Sequence, residues 1–102
     1  MINKKWSLYN GKNIYLEKNF IGIYELANKN KTILYIGKGL IHTRLYTHKL
    51  KNNSHYINDV KYYRCIYVNN WVRAGQMERV ALKQFEKNYG KYPKFNDRYD
   101  KN

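Results

Sequence analysis

The sequence predicts an α+β domain, a small three-stranded antiparallel β-sheet flanked by helices in the order β-β-α-β-α. Two short apolar runs rich in tyrosine and glycine flank the polar, turn-forming cluster Asn28-Lys29-Asn30-Lys31. A third run, Val60 to Val68, is rich in the Tyr, Ile and Val that favour strands. Apolar residues then recur every three to four positions from Val72 to Tyr89, as in a helix. Helices covering a small antiparallel sheet define the α+β class.

Before the first strand, residues 1 to 18 show no strong periodicity. Apolar residues lie on both sides of Asn10-Gly11, a dipeptide that is favoured in tight turns. A short hairpin is therefore expected here, formed by Trp6 and Leu8 on one side and Ile14 and Leu16 on the other.

The next three elements follow from local pattern. Phe20 to Leu26 and Thr32 to Ile36 are expected to pair as strands. Leu40 to Lys51 has apolar residues at helical spacing, and Asn52-Asn53-Ser54 ends that helix. The strand Val60 to Val68 is apolar on both faces, which indicates a central, buried position.

The second helix is the clearest element of the sequence. Met77, Val80, Ala81 and Phe85 form the expected buried stripe, and Gly90 is the expected C-cap. An ordered turn, Tyr92 to Asn96, follows it.

Charge points to a polyanionic partner. Twenty Lys and Arg against seven Asp and Glu give a formal charge of +13 over 102 residues. The 20 basic residues divide equally between the two halves of the chain, so the excess belongs to the folded body rather than to a tail. Such a body is expected to bind nucleic acid in a salt-dependent way. A lysine- and asparagine-rich composition also arises from AT-rich coding sequence, so charge alone does not decide the point.

Cysteine usage and hydropathy exclude several classes. Cys65 is the only cysteine, which rules out an intrachain disulfide and a cysteine-based zinc site. It lies in an apolar run and is expected to be a small core residue. No signal peptide and no run of membrane-spanning length is apparent, so a cytoplasmic protein with no membrane partner is expected.

Residues suited to phosphate chemistry are concentrated between positions 22 and 48. Gly22-Ile23-Tyr24 and Tyr35-Ile36-Gly37 place a tyrosine on each of the two paired strands. Lys38 follows directly, and Arg44 and His48 lie four residues apart on one helix face. In this arrangement the sequence resembles the GIY-YIG nuclease domain. The likeness covers roughly residues 20 to 100 and continues to Glu78 and Asn96.

The resemblance implies a role for each of these residues. Glu78 would bind one Mg²⁺ or Mn²⁺, and Arg44 would hold the phosphate as negative charge grows. Tyr24 would act as general base, aided by His48, and Tyr35 would support the hydrogen-bond network or hold the phosphate. Which of Tyr24 and His48 is the base stays open, although the nearby cations are expected to act to lower the pKa of Tyr24. The expected catalytic set is Tyr24, Tyr35, Arg44, His48 and Glu78, and the expected substrate-binding set is Gly22, Gly37, Lys38 and Asn96. Of these, Asn96 is expected to hold the site together through amide hydrogen bonds to backbone groups rather than to take part in the chemistry.

The predicted function is that of a metal-dependent endonuclease acting on DNA. By the same resemblance, residues 1–18 form an N-terminal extension packed on a nuclease domain of residues 19–102. Cleavage of both DNA strands would require a homodimer, two successive nicks or a reorientation. Recognition stays open between a stand-alone homing-, phage- or restriction-like nuclease and one that uses a separate recognition partner. Two alternatives stay open: a non-catalytic nucleic-acid-binding module on the same fold, and a ribonuclease. His42 and His55 match no position of the family and are expected on the surface.

Overall fold

The computed structural model describes residues 2–96 and contains four strands and three helices within that range. The last six residues of the expected domain, 97–102, lie outside the described residues. The elements are β1 (Ser7–Leu8), α1 (Gly11–Leu16), β2 (Ile21–Ala27), β3 (Ile33–Leu40), α2 (Ile41–Thr47), β4 (Tyr62–Tyr67) and α3 (Trp71–Tyr89). None of the helices in residues 2–96 is long and apolar enough to cross a membrane.

The sheet is antiparallel with the strand order β1-β4-β2-β3, which confirms the predicted α+β class. It has four strands rather than three, because the two-residue β1 pairs with the outer side of β4. The strand buried most completely is β2, which lies between β3 and β4. β4 lies between β1 and β2, so its expected central position is confirmed. Only Tyr63 and Cys65 of β4 are buried, so the expectation that this strand is buried on both faces is wrong.

The hairpin expected around Asn10-Gly11 is also wrong. Asn10 is the N-cap of α1, where its side chain accepts a hydrogen bond from the backbone N–H of Asn13 at 2.8 Å. Asparagine serves turns and helix caps through the same side-chain acceptor, so the dipeptide did not distinguish them. The turn from β2 to β3 uses this acceptor too, because Asn28 Oδ1 accepts from the backbone of Asn30 and Thr32.

The two longer predicted helices are both present, with differences at their ends and faces. α2 stops at Thr47 instead of reaching Lys51, and the carbonyl of its C-cap, His48, accepts from the N–H of Ile57 at 3.0 Å. α3 starts at the N-cap Asn70 and ends at Gly90, whose φ of 77° closes the helix as predicted. Val80, which was expected in the buried stripe, is 66% exposed.

The helices cover opposite faces of the sheet. α3 packs through Ala81, Leu82 and Phe85 against Ile33 and Ile36 of β3. On the other face, α1 and α2 enclose the largest cluster of buried side chains. Its members are Tyr9, Ile14, Tyr24, Leu26, Tyr35, Ile41, Leu45, Ile57, Tyr63 and Cys65. Because β3 is an edge strand, groups from both layers can meet around it.

Candidate active site

The pairing of β2 with β3 brings the two motif tyrosines together. Tyr24 lies directly opposite Gly37 in the strand register, and the rings of Tyr24 and Tyr35 are 6.0 Å apart. Gly37 is required by this packing. A Cβ at that position would lie 2.6 Å from Cζ and the hydroxyl of Tyr24 and from Cε2 of Tyr35. The second glycine motif therefore makes room for both rings.

His48 connects this tyrosine pair to the end of α2. The Tyr24 hydroxyl lies 2.7 Å from Nε2 of His48, and Nδ1 of His48 lies 2.8 Å from the carbonyl oxygen of His55. A carbonyl oxygen can only accept, so Nδ1 carries the proton in this contact. In the neutral ring Nε2 then accepts the hydrogen bond, and the Tyr24 hydroxyl donates it. Both side chains are fully buried.

Burial raises the pKa of Tyr24 well above its ordinary value, and the neighbouring Tyr35 adds to the shift. The Arg44 guanidinium acts in the opposite direction, whereas Glu78 raises the pKa of Tyr24 further. Arg44 therefore lowers the pKa of Tyr24 as expected, but burial keeps that pKa above its ordinary value in the protein alone. Desolvation of a buried phenolate outweighs the attraction of one guanidinium. Tyr24 is neutral at pH 7 and keeps its proton on the hydrogen bond to His48.

Arg44 lies one helical turn before His48 and shares its face of α2. Its stem passes over Gly39, where a Cβ would approach Cγ of Arg44 to 2.8 Å. Gly39 also has a φ of 141°, a backbone conformation that residues with a side chain rarely adopt. Burial acts to lower the pKa of Arg44, but the oxygens of Tyr24 and Tyr35 outweigh it and raise the pKa above its ordinary value. The guanidinium thus remains charged beside the two hydroxyls.

Glu78 approaches the site from α3, on the other side of the β3 edge. Its carboxylate Oε1 lies 3.6 Å from Nζ of Lys38, with side-chain exposures of 19% for Glu78 and 37% for Lys38. Gly75 gives the lysine space, because a Cβ there would come within 3.3 Å of Nζ. Glu78 is the eighth residue of α3. A favourable interaction with the helix dipole is confined to the first turn and does not explain it.

The carboxylate oxygens of Glu78 are suitable ligands for a hard cation that takes few ligands from the protein. Residues 2–96 contain no group of three or more His, Cys, Asp and Glu side chains that could enclose a metal ion. A lone, partly exposed carboxylate is nevertheless enough for Mg²⁺, which commonly takes one or two carboxylates and completes its shell with water and substrate phosphate.

Gly22 and Asn96 lie inside the protein, where their surroundings favour positioning over substrate contact. A Cβ on Gly22 would come within 2.1 Å of the Ile66 carbonyl oxygen, so this glycine allows β2 and β4 to approach. The Asn96 side chain, 1% exposed, accepts from the N–H of Ile36 at 2.9 Å and donates to its carbonyl at 2.8 Å. Asn96 pairs with the edge of β3 as a neighbouring strand would, directly beside Gly37.

Several contributors could not be identified from side-chain pattern. His55 orients His48 through its backbone carbonyl, and a backbone role leaves no signature in residue type. His42, expected on the surface, is half-buried with Nδ1 2.9 Å from the Ile14 carbonyl oxygen. Gly39 and Gly75 lie beside the motifs, but only packing shows which side chains need their space.

Cys65 takes no part in this arrangement. It is buried as predicted, and burial together with the nearby Glu17 carboxylate raises the pKa of its thiol to about 12. The thiolate, which is the nucleophilic form, is therefore scarce at neutral pH.

The chain has the fold of a GIY-YIG endonuclease domain. It is similar to the N-terminal GIY-YIG endonuclease domain of UvrC from Thermotoga maritima bound to its catalytic divalent cation, magnesium. The TM-score is 0.64 at 24% identity, and the match covers 82% of this chain and 91% of that chain. A point mutant of the same domain, also bound to its catalytic divalent cation, gives a TM-score of 0.64 and 24% identity over 82% and 90% of the two chains. The sequence matches no family model and no curated protein. The resemblance seen in the sequence is thus confirmed for the fold.

Proposed function

We propose that this protein is a divalent-metal-dependent endonuclease that hydrolyses phosphodiester bonds of DNA. The observation that carries the proposal is the buried hydrogen bond from Tyr24 to His48, with the Arg44 guanidinium facing the same hydroxyl. This arrangement supplies a proton path and a permanently charged cation at one point. The charge of +13 and the fold shared with a magnesium-bound endonuclease domain support nucleic acid as the substrate.

Tyr24 and His48 act together as the base in this proposal. The Tyr24 oxygen takes a proton from the attacking water while its own proton passes to Nε2 of His48. His48 becomes an imidazolium whose Nδ1–H remains on the His55 carbonyl, which stabilises that charge. The two-group relay removes the need for a tyrosinate at neutral pH. The net acceptor of the proton is therefore His48, and Tyr24 is neutral before and after the transfer.

Arg44 has two roles in the proposal. In the protein alone its guanidinium faces the oxygens of Tyr24 and Tyr35. A phosphodiester offers it a charged acceptor and paired hydrogen bonds, which are stronger than those to neutral hydroxyls. Substrate would therefore draw Arg44 away from the tyrosines, and this movement would open the Tyr24 hydroxyl to water.

Glu78 is the residue that would hold the cation, and Lys38 would contact phosphate. Lys38 lies 3.6 Å from the Glu78 carboxylate, and its partly exposed side chain is long enough to contact a phosphate beside that carboxylate. Bound Mg²⁺ or Mn²⁺ would supply stabilisation of the charge that develops on the leaving 3′-oxygen. By family resemblance, the products would be a 5′-phosphate and a 3′-hydroxyl.

Supercoiled-plasmid cleavage tests the proposal. Wild type, Glu78→Gln and the control Glu86→Gln are compared with Mg²⁺, Mn²⁺ or EDTA. Glu86 is an exposed glutamate on the same helix, so its substitution makes the same change of charge away from the site. We expect metal-dependent cleavage by wild type and Glu86→Gln, none by Glu78→Gln, and equal plasmid binding by all three in EDTA. Equal cleavage by Glu78→Gln would overturn the assignment.

The charge and the exposed aromatic side chains also suit a second function, a non-catalytic nucleic-acid-binding module. Retained, salt-sensitive binding with no cleavage by wild type would support that function.

Matched DNA and RNA substrates distinguish a deoxyribonuclease from a ribonuclease. The same plasmid assay shows whether one strand or both are cut. Double-strand cleavage that rises with the square of protein concentration would indicate a homodimer. The single, buried cysteine suits a reducing, cytoplasmic location.

A further inference from the structure

A second cleft lies at the other end of β3, away from Gly37 and Lys38. We call it the distal cleft. Its volume is about 360 Å³, and its walls are formed by Trp6, Lys31, Thr32, Ile33, Arg64, Phe85, Tyr89 and Lys91. We propose that the distal cleft binds an unpaired nucleotide of the nucleic-acid strand, so that the protein acts on substrates with a single-stranded segment. This inference rests on the proposed function for its substrate but uses residues outside the candidate active site.

One wall of the cleft is a rigid stack of Arg64 on Trp6. The Arg64 guanidinium carbon lies 4.0 Å from the centre of the Trp6 ring. Two further contacts hold it in place: Nε donates to Oε1 of Glu25 at 2.6 Å, and Nη1 donates to the Lys4 carbonyl at 3.0 Å. Glu25 is fully buried. Arg64 and Trp6 therefore present a flat surface that needs no ordering when a base stacks on it.

A second aromatic ring, that of Tyr89, also lines the cleft. Tyr89 is 62% exposed, although the centre of its ring lies 4.5 Å from that of Phe85. An exposed tyrosine and a fixed indole in one cleft suit a nucleobase, because stacking depends on a π-face that every base has. Bases within a duplex are already stacked on their neighbours, so only an unpaired base can enter.

Charge in the cleft fits a strand with phosphates. The Glu25 carboxylate balances Arg64 through their ion pair. Lys31 and Lys91 then supply the excess positive charge among the lining residues. A nucleobase stacked on these aromatic side chains would place its own phosphate within reach of flexible lysine side chains.

The distal cleft and Glu78 lie in line along α3. Tyr89 follows Glu78 by eleven residues, which corresponds to about 16 Å and nearly the same side of the helix at 1.5 Å and about 100° per residue. β3 gives the same distance, because Ile33 in the cleft and Lys38 at the candidate active site are five residues apart, or about 17 Å. A base-stacked strand rises about 3.4 Å per nucleotide, so five to six nucleotides of it reach both sites.

Tryptophan fluorescence tests the proposal without requiring cleavage. The chain contains two tryptophans, so Trp71→Phe leaves Trp6 as the only indole. This variant is titrated in EDTA with a thymidine oligonucleotide of about twelve nucleotides, a blunt hairpin duplex of equal length, and thymidine monophosphate. We expect saturable quenching by the single strand and much weaker quenching by the duplex. Adding Tyr89→Ala should weaken single-strand binding at least about fivefold, the lower end of what one stacked base contributes.

Tyr15→Ala is the matched control, because Tyr15 is 69% exposed and lies on α1. We expect it to change the affinity by less than about twofold, a shift well below that of one stacked base. Equal quenching by strand and duplex, or equal weakening by Tyr15→Ala, would overturn the proposal. Binding of the monophosphate as tight as that of the strand would overturn it in favour of a free-nucleotide site. Plasmid cleavage without quenching of Trp6 would overturn the proposed binding in the distal cleft and leave the proposed nuclease activity intact. Quenching of Trp6 without cleavage by any variant would support the binding and overturn the nuclease activity.

Discussion

Adding one methyl group at Gly37 tests the packing on which the candidate site depends. In Gly37→Ala the new Cβ would lie 2.6 Å from two atoms of Tyr24 and one of Tyr35. Ordinary carbon contacts are about 3.5–4.0 Å, so each ring would have to move by about 1 Å. Tyr24 is fully buried and its hydroxyl is 2.7 Å from His48, which leaves it no direction of retreat that keeps this hydrogen bond.

The expected cost follows from these contacts. Overpacking a core contributes about 1–3 kcal/mol of destabilisation, and a lost buried hydrogen bond about 1 kcal/mol more. Replacing glycine within a strand returns about 0.5–1 kcal/mol, because the unfolded chain loses freedom. We therefore expect Gly37→Ala to lower the free energy of unfolding by about 2 kcal/mol. Displacing the proposed base by about 1 Å should also reduce cleavage about a hundredfold.

Urea unfolding and plasmid cleavage measure the two effects, with Gly11→Ala as the matched control. Gly11 is the first residue of α1, and a Cβ there meets nothing within 4 Å. This control should leave cleavage unchanged and stability equal or higher by up to about 1 kcal/mol. A free energy of unfolding for Gly37→Ala within about 0.5 kcal/mol of the wild-type value would mean that the two tyrosine rings move aside at little cost. That result would refute the role assigned to this glycine.

Three further expectations concern groups around the site. Asn96→Ala removes both hydrogen bonds to Ile36 and leaves two backbone groups unpaired, so the free energy of unfolding should fall by about 2–4 kcal/mol in a urea titration. Arg64→Met leaves the buried Glu25 carboxylate without its partner and should cost about 3–5 kcal/mol, much of which the double substitution with Glu25→Gln should restore. Because the raised pKa of about 12 keeps Cys65 protonated at pH 8, its thiol should react with a disulfide reagent at least a hundredfold more slowly in the native protein than in urea.

The controls for these expectations use exposed residues of α3. Asn88→Ala and Arg79→Met make the same chemical changes at exposed positions and should each alter stability by less than about 0.5 kcal/mol. An Asn96→Ala protein as stable as Asn88→Ala would remove the role of Asn96 at the β3 edge. A double substitution no more stable than Arg64→Met would mean that the loss arises from the stacking on Trp6. Equal thiol reactivity in native and unfolded protein would show that Cys65 is accessible.

Local patterns were enough to predict most of the secondary structure. The strand-favouring residues of β2, β3 and β4 and the helical periodicity of α3 are clear, and Gly90 closes α3 where the sequence predicts its C-cap. The wrong predictions of secondary structure occur where one residue type is common in two kinds of local structure or where a long-range contact ends an element. Asn10 caps a helix where a turn was expected, and α2 ends early because the His48 carbonyl bonds to a distant N–H. The two-residue β1 is too short to carry a period of its own.

The sequence by itself determined the inventory of this protein: a basic α+β domain with two tyrosines, an arginine, a histidine and one acid in motif order. Residue types and the short spacings between them are properties of the sequence itself, so they can be recognised without knowing the tertiary structure. The tertiary structure decided how that inventory is used. It directs the Tyr24 proton toward His48, and it buries Tyr24 so that its pKa rises although Arg44 acts to lower it. It also determines which backbone group Asn96 binds, that of Ile36 in β3. Burial, hydrogen-bond direction and long-range contacts depend on the whole fold, and no window of sequence contains them.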